Sequence, residues 1–160
     1  MPTGEAAGRL ARWLALLVPA LLLGGANLSQ YGFGLWPCEM CWWQRYPLFA
    51  AVPLALAALA KPPGRVLVAL AALAILTSGL IGFYHAGVEY GQFPGLTACT
   101  SEVALGGDPL EAIMNAPLVR CDQVQWELFG VSLAGFNFLI STAAALAVFA
   151  LLRRSGKTAT

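Results

Sequence analysis

Four apolar segments constrain this chain more than any other feature of its sequence. They run over about residues 13–28, 42–60, 66–84 and 131–152, and each is close to the roughly 20 residues that a helix needs to cross a bilayer. Charged residues make up only 11% of the chain, against about 25% in a typical soluble domain. The sequence therefore predicts an all-α membrane protein with one membrane domain over residues 1–160, folded as a four-transmembrane-helix bundle.

Short connections and two outer loops join the predicted helices. Residues 61–65, Lys-Pro-Pro-Gly-Arg, form a tight turn, and outer loops cover about residues 29–41 and 85–130. Pro47 and Pro53 lie inside the second segment, where neighbouring membrane helices can satisfy the freed backbone groups. Arg9 and Arg12 precede the first segment as they would in a signal peptide. The apolar run is long for a signal peptide, so we expect it to be retained as a helix.

The charged residues are divided between the two ends of the predicted helices. Near the termini and the 61–65 turn lie the basic residues Arg9, Arg12, Lys61, Arg65, Arg153, Arg154 and Lys157. At the opposite end lie the acidic residues Glu39, Glu89, Glu102, Asp108, Glu111, Asp122 and Glu127. Because basic residues mark the cytoplasmic side, both termini are predicted to be cytoplasmic and all four cysteines to face outward. In a bacterium that side is oxidising. The formal net charge of +1 gives no electrostatic case for nucleic-acid binding.

A cysteine pair with Cys-x-x-Cys spacing opens the second segment. Pro37 suits a position at or just before a first helical turn, so Cys38, Cys41 and Arg45 are predicted to share one helix face. The unpaired N–H groups of that turn and the Arg45 cation both favour a thiolate at Cys41. The pattern indicates a reactive dithiol, with a structural disulfide or half of a metal site as the alternatives.

A second pair, Cys99 and Cys121, lies in the long outer loop. Between them, Asp108, Pro109 and Glu111 are typical of the start of a short helix, which we expect to lie flat on the membrane surface. Two outward cysteine pairs favour thiol–disulfide exchange through a mixed disulfide. Electrons would then pass from a soluble protein to the loop pair, to the helix pair, and on to an oxidant in the lipid. A purely structural loop disulfide is the alternative.

These motifs together resemble the bacterial disulfide bond formation protein DsbB family, over essentially the whole chain. The resemblance rests on residues 38–45, Cys-Glu-Met-Cys-Trp-Trp-Gln-Arg, on His85 and on the loop pair. It also rests on residues 121–126, Cys-Asp-Gln-Val-Gln-Trp, on residues 128–133, Leu-Phe-Gly-Val-Ser-Leu, and on Asn137. It implies a four-helix bundle in the bacterial inner membrane, with a long periplasmic loop that carries a short surface helix.

The resemblance also implies a function and a role for each cysteine. Members of the family reoxidise the periplasmic thioredoxin-fold oxidase DsbA and pass the electrons to a membrane quinone, either ubiquinone or menaquinone. Cys99 matches the cysteine that forms the mixed disulfide with DsbA, and Cys121 matches its partner. Cys38 and Cys41 match the pair next to quinone, with Cys41 in contact with the ring.

Two further residues match the quinone site of the family. Arg45 matches an arginine that supports quinone binding and reduction, and a buried cation would stabilise the negative charge that develops on the quinone oxygens. His85 matches a histidine near the same site. The alternatives are that Arg45 extends to the lipid headgroups and that His85 is merely interfacial. Gln44 replaces a residue that is often acidic in this family, which should leave Arg45 more available to an anion.

Three rival interpretations remain open. A vitamin-K-epoxide-reductase-like enzyme also combines membrane helices with a Cys-x-x-Cys motif and quinone chemistry, but usually carries the motif on its last helix. A non-enzymatic protein could hold a structural metal with all four cysteines, although zinc sites favour two short pairs, and Cys99 and Cys121 are far apart. We therefore expect no metal. A scaffold membrane protein with unreactive cysteines is the third.

Overall fold

The computed structural model describes residues 4–62, 64–95, 100–101 and 118–157, and four long helices dominate them. These helices are α1 (Gly4–Phe33), α2 (Glu39–Ala60), α3 (Arg65–Glu89) and α4 (Leu133–Lys157). Two short antiparallel ladders accompany them, β1 (Thr100–Ser101) with β2 (Leu118–Val119), and β3 (Glu127–Leu128) with β4 (Val131–Ser132). The short surface helix predicted after Asp108 lies outside the described residues.

The helices form a bundle in which α1 packs on α2 and α4, and α3 packs on the same two. Small residues make the contacts in the core: Ala7, Ala11, Ala15, Ala51, Ala55, Ala58, Ala71, Ala72 and Ala145 are fully buried. Large apolar side chains such as Leu21, Leu56 and Val66 are exposed around the outside. This distribution is typical of membrane helices, because lipid gives no hydrophobic drive for association and close backbone approach must supply the contacts.

Three of the helices are long and apolar enough to cross a membrane, within the part of the chain that is described. They are α1, α3 and residues Leu133–Gly156 of α4. The first two turns of α2 contain Glu39, Gln44 and Arg45, and this helix is not among the three. A mostly helical membrane protein is thus confirmed, whereas the fourth span remains a prediction.

The third helix is longer than its apolar segment, and this changes the setting of His85. The sequence placed His85 at the start of an outer loop, but α3 continues to Glu89, so the imidazole lies within the helix and is 2% exposed. Helical geometry continues because residues 85–89, His-Ala-Gly-Val-Glu, contain no proline to end it. His85 therefore faces the interior of the bundle.

A tight hairpin leads into α4 and is tied to the end of α3. Phe129 and Gly130 both have positive φ angles, of 53° and 75°, as a two-residue turn with the twist of a hairpin requires. The Tyr90 hydroxyl donates to the Gly130 carbonyl oxygen at 2.9 Å and accepts from the Ser132 N–H at 2.8 Å. Ser132 Oγ then accepts from the Gly135 N–H at 3.1 Å, which satisfies a free donor at the start of α4.

Gly82 permits the close approach of α3 to its neighbours, and its replacement tests this packing. An added Cβ would lie 2.9 Å from the Ala134 carbonyl oxygen and 3.1 Å from both Asn137 Nδ2 and Gln44 Oε1. We expect Gly82→Ala to lower the free energy of unfolding in detergent by about 1–3 kcal/mol, as overpacking does. Gly24→Ala is the matched control, since a Cβ there meets nothing within 4 Å. Equal unfolding midpoints for the two variants would contradict the close packing.

Candidate functional site

A cavity of about 300 Å³ lies among the helices at the end of the bundle where α2 begins. Its apolar wall includes Leu21, Leu22, Leu48, Trp126, Phe136 and Ile140. Its polar groups include Cys38, Cys41, Arg45, His85 and Glu89. The mostly apolar lining with a few convergent polar groups is typical of a small-molecule site, and it contains four of the six residues predicted from the sequence.

Cys38 lies at the N-cap position of α2, immediately before the helix begins. Its sulfur accepts from the Cys41 backbone N–H at 3.3 Å, so this N–H of the first turn points at the Cys38 sulfur. The two thiols are free, and the Cys38 Sγ–H donates to Cys41 Sγ at 3.0 Å. The Cys38 S–H bond favours negative charge on the Cys41 sulfur, so the thiolate predicted at Cys41 is supported by the neighbouring thiol and not by this N–H.

Cys121 lies in the same buried cluster as Cys38, together with Met40 and Val88. Hydrogen bonding to Cys121 and to Cys41, together with burial, raises the pKa of the Cys38 thiol. The structure therefore brings a cysteine of the loop pair against the first cysteine of the helix pair. Cys99, the fourth predicted cysteine, lies outside the described residues.

His85 is held in place by contacts from two helices. Its Nε2 is 3.5 Å from Cys38 Sγ and 3.7 Å from Glu89 Oε1. Its Nδ1 accepts from Gln44 Nε2 at 2.8 Å. His85 is thus in direct contact with the dithiol, which a merely interfacial histidine would not be.

Arg45 is buried against α1 and does not extend to the surface. It is 7% exposed, and it donates to Gln30 Oε1 at 2.7 Å and to the Ala26 carbonyl oxygen at 3.1 Å. Its guanidinium carbon lies 5.0 Å from the centre of the Trp42 ring, a distance at which a cation is attracted to the ring face. A buried arginine beside an apolar cavity supplies fixed positive charge there.

Gln44 makes its contacts away from Arg45, and the greater availability of Arg45 to an anion stays a prediction. Its side chain bonds His85, the Met40 carbonyl oxygen and Asn137. The absence of a carboxylate at this position therefore acts first on His85 and only indirectly on Arg45.

Sequence reasoning missed two residues of the site, Gln30 and Glu89. Gln30 is 4% exposed near the end of α1, and Glu89 Oε2 has no hydrogen-bond partner among the described residues although it is buried. Both were missed for the same reason, because the first and third segments were predicted to end at residues 28 and 84. In the structure α1 continues to Phe33 and α3 to Glu89, so both polar side chains belong to the bundle.

Cys38, Cys41 and His85 also have the composition of a metal site. Their ligand atoms all lie within 4.8 Å of one another. This group contains two cysteines and a histidine, and so differs from the four-cysteine site considered from the sequence.

The chain is similar to known disulfide bond formation proteins along most of its length. The family model described as disulfide bond formation protein DsbB matches residues 8–151. Disulfide bond formation protein B of Polaromonas sp. is 32% identical over 160 residues, covering 91% of this chain and 90% of that one. The protein of the same name from Verminephrobacter eiseniae is 33% identical over 158 residues, covering 91% and 86%. Disulfide bond formation protein B 2 of Pseudomonas savastanoi pv. phaseolicola is 30% identical, covering 86% and 84%. No solved structure gives a significant match.

The difference between Cys38 and Cys41 predicts an order of chemical modification. Cys38 is 1% exposed and has a raised pKa, so at neutral pH it stays a thiol, which is the unreactive form. Cys41 is half-buried and borders the cavity. We expect a limiting amount of a small alkylating reagent to modify Cys41 before Cys38 in the reduced protein, as measured by peptide mass spectrometry. Modification of Cys38 first would contradict the assigned environments.

Proposed function

The chain belongs to the DsbB family of disulfide bond formation proteins, and we therefore propose that it is a quinone-dependent protein-disulfide oxidoreductase. In this proposal it reoxidises a periplasmic thioredoxin-fold oxidase of the DsbA type. The electrons pass through the two cysteine pairs to ubiquinone or menaquinone. The observation that supports it best is the location of Cys38 and Cys41 on an apolar cavity, with Cys121 against Cys38.

The first exchange involves the loop pair. A thiolate of the reduced partner attacks Cys99 in a Cys99–Cys121 disulfide, and Cys121 leaves as a thiolate. The partner and Cys99 are then joined by a mixed disulfide. The partner's second thiolate attacks its own sulfur in that bond, so the partner leaves oxidised and the loop pair has gained two electrons.

The second exchange transfers those electrons to the helix pair. The Cys121 thiolate attacks Cys38 in a Cys38–Cys41 disulfide, which forms a Cys121–Cys38 bond and releases Cys41 as a thiolate. The burial of Cys121 in one cluster with Cys38 supports this direction of attack. Cys99 then attacks Cys121, which restores the loop disulfide and releases Cys38, so that the helix pair now carries the two electrons.

The cavity fits a quinone headgroup by its chemistry. Its walls are mostly apolar, its volume is about 300 Å³, and Arg45 supplies a cation that stays protonated under all ordinary conditions. A quinone, when bound, accepts two electrons and two protons. Cys41 borders the cavity, and Arg45 stabilises negative charge on a ligand in this low-dielectric setting.

The proposal also fixes the orientation of the chain. We place both termini and the 61–65 turn in the cytoplasm and the cysteines in the periplasm, because seven basic residues lie at the terminal end of the helices. We also place α2 across the inner membrane as the fourth span. Its alanines in the buried core support this placement.

One reconstituted reaction tests the function directly. Purified protein in detergent is mixed with a quinone and a reduced DsbA-type protein, and the quinone absorbance is followed. We expect the quinone to be reduced in step with oxidation of the partner. Cys41→Ser should abolish quinone reduction, because the Cys41 thiolate at the cavity is lost. Gly24→Ala, which alters no site residue, is the control for handling and folding. Unchanged quinone absorbance with an active partner would refute the proposal.

The same assay tests the role of Arg45. We expect Arg45→Ala to slow quinone reduction by about 30- to 1000-fold, which corresponds to roughly 2–4 kcal/mol of lost charge stabilisation. Arg45→Lys should recover part of the rate, because the charge remains while the planar guanidinium is lost.

A second variant separates charge from packing in that experiment. Gln30→Leu removes the side-chain acceptor of Arg45 on α1, at 2.7 Å, but keeps the cation and its bond to the Ala26 carbonyl oxygen, so it should slow the reaction much less than Arg45→Ala. Equal losses in the two variants would mean that Arg45 acts by joining α1 to α2. If Arg45→Ala reduces limiting quinone at the parent rate, Arg45 is not part of the quinone site.

A further inference from the structure

We infer that Gln44, held by Asn137, is a positioning residue that fixes His85 as the Nε2–H tautomer. In that state the imidazole donates to the Cys38 sulfur and cannot ligate a metal beside it. The inference concerns this chain's own hydrogen bonds. Only its catalytic consequence rests on the proposed function.

Two backbone carbonyl groups determine the orientation of the side-chain amides. Gln44 Nε2 lies 3.2 Å from the Met40 carbonyl oxygen, and Asn137 Nδ2 lies 3.1 Å from the Ser78 carbonyl oxygen. A carbonyl oxygen only accepts hydrogen bonds, so each of these positions must be occupied by an amide nitrogen. Asn137 Nδ2 donates in addition to Gln44 Oε1 at 2.8 Å. Neither amide can therefore be turned over without placing two oxygens in contact.

The opposite end of Asn137 is also hydrogen-bonded. Its Oδ1 accepts from the Ser141 hydroxyl at 2.9 Å. The Ser78 hydroxyl donates to the backbone carbonyl oxygen of Gln44 at 2.8 Å. Ser78 and Ser141 are fully buried, so no water competes for these bonds. Hydrogen bonds within α2 and from α3 and α4 therefore hold Gln44 in place.

The tautomer of His85 follows from that orientation. Gln44 Nε2 donates to His85 Nδ1 at 2.8 Å, so Nδ1 must carry a lone pair and the ring proton must lie on Nε2. The Nε2–H faces Cys38 Sγ at 3.5 Å and Glu89 Oε1 at 3.7 Å. A donor in that position favours the thiolate form of Cys38 over the thiol. In the proposed reaction this form is required when Cys38 leaves Cys121.

The same tautomer opposes metal binding by Cys38, Cys41 and His85, although the distance between two of their ligand atoms would suit a metal. Tetrahedral zinc bonds of about 2.3 Å to sulfur and about 2.1 Å to nitrogen place these two atoms roughly 3.6 Å apart, and Cys38 Sγ and His85 Nε2 are 3.5 Å apart. A ligating histidine, however, needs a lone pair on the metal side and normally donates its other N–H to an acceptor. Here the other nitrogen faces a donor, so the network keeps the dithiol available for redox exchange.

The chain contains one histidine, so its tautomer can be read without ambiguity. The experiment records long-range proton–nitrogen NMR spectra of ¹⁵N-histidine-labelled, reduced protein in detergent, purified without a histidine tag and without quinone. We expect a protonated Nε2 and an unprotonated Nδ1 at neutral pH. Gln44→Glu has the same shape but presents an acceptor, so it should give a protonated Nδ1. Gln92→Glu, an exposed change outside the cavity, should give the parent spectrum. An Nδ1–H tautomer in the parent would overturn the inference, even if Gln44→Glu fails to fold.

Cobalt titration of the reduced protein provides a second measurement. We expect His85→Ala to leave the Co²⁺ affinity of the parent unchanged, because only the thiols bind the ion. Gln44→Glu should bind Co²⁺ about 10- to 100-fold more tightly, as a carboxylate behind a ligating histidine does, and His85→Ala in that background should remove the gain. A parent affinity that falls with His85→Ala would overturn the inference. Neither measurement uses quinone reduction, so a failure of the proposed function is seen separately, in the absorbance assay.

Discussion

The hydrogen bond from Asn137 to Gln44 joins α4 to α2, and much of the site depends on it. It exists because Gly82 of α3 leaves room for the two side chains, with its Cβ position 3.1 Å from both. In a membrane interior an unpaired amide would cost several kcal/mol, so polar side chains placed there must satisfy one another. The same bonds that make the polar groups tolerable also orient His85 toward the cysteines. The close packing at Gly82, the pairing of the buried polar groups and the orientation of His85 therefore depend on one another.

The fold was largely predictable because its main determinant is local. Apolar segments of membrane-spanning length identify helices from the sequence alone, and all four appear as helices in the described residues. The helix ends were less predictable, since they depend on capping and tertiary contacts. Thus α3 continues to Glu89, where Tyr90 ties its end to the hairpin before α4. A hydropathy pattern carries no information about such a tertiary contact.

The site was predictable in its residue types but not in its pairings. Helical spacing identified Cys38, Cys41 and Arg45, and the resemblance added His85 and the quinone role of Arg45. The sequence also predicted that the N–H groups at the start of α2 would favour a thiolate at Cys41, but the N–H group of Cys41 points at Cys38 Sγ, and the Cys38 thiol is the group that donates to Cys41. The sequence considered Gln44 only for its effect on Arg45, and the structure shows that Gln44 bonds His85 across the bundle. The Gln44 contact could not be predicted, because side-chain partners on other helices are set by three-dimensional packing. The Cys38 contact is local and follows from the helix beginning at Glu39, which makes Cys38 its N-cap.

Arg45 and His85 supply two different kinds of stabilisation to one buried site. Arg45 is a permanent cation, and its hydrogen bonds to α1 hold it at the cavity. His85 is neutral and acts through a single directed N–H, because Gln44 occupies its other nitrogen. Since the Nε2 position already carries a proton, His85 cannot accept the Cys38 proton there. The Cys41 sulfur, 3.0 Å from Cys38 Sγ, is then the acceptor for that hydrogen bond, and negative charge between the two sulfurs is favoured on Cys41.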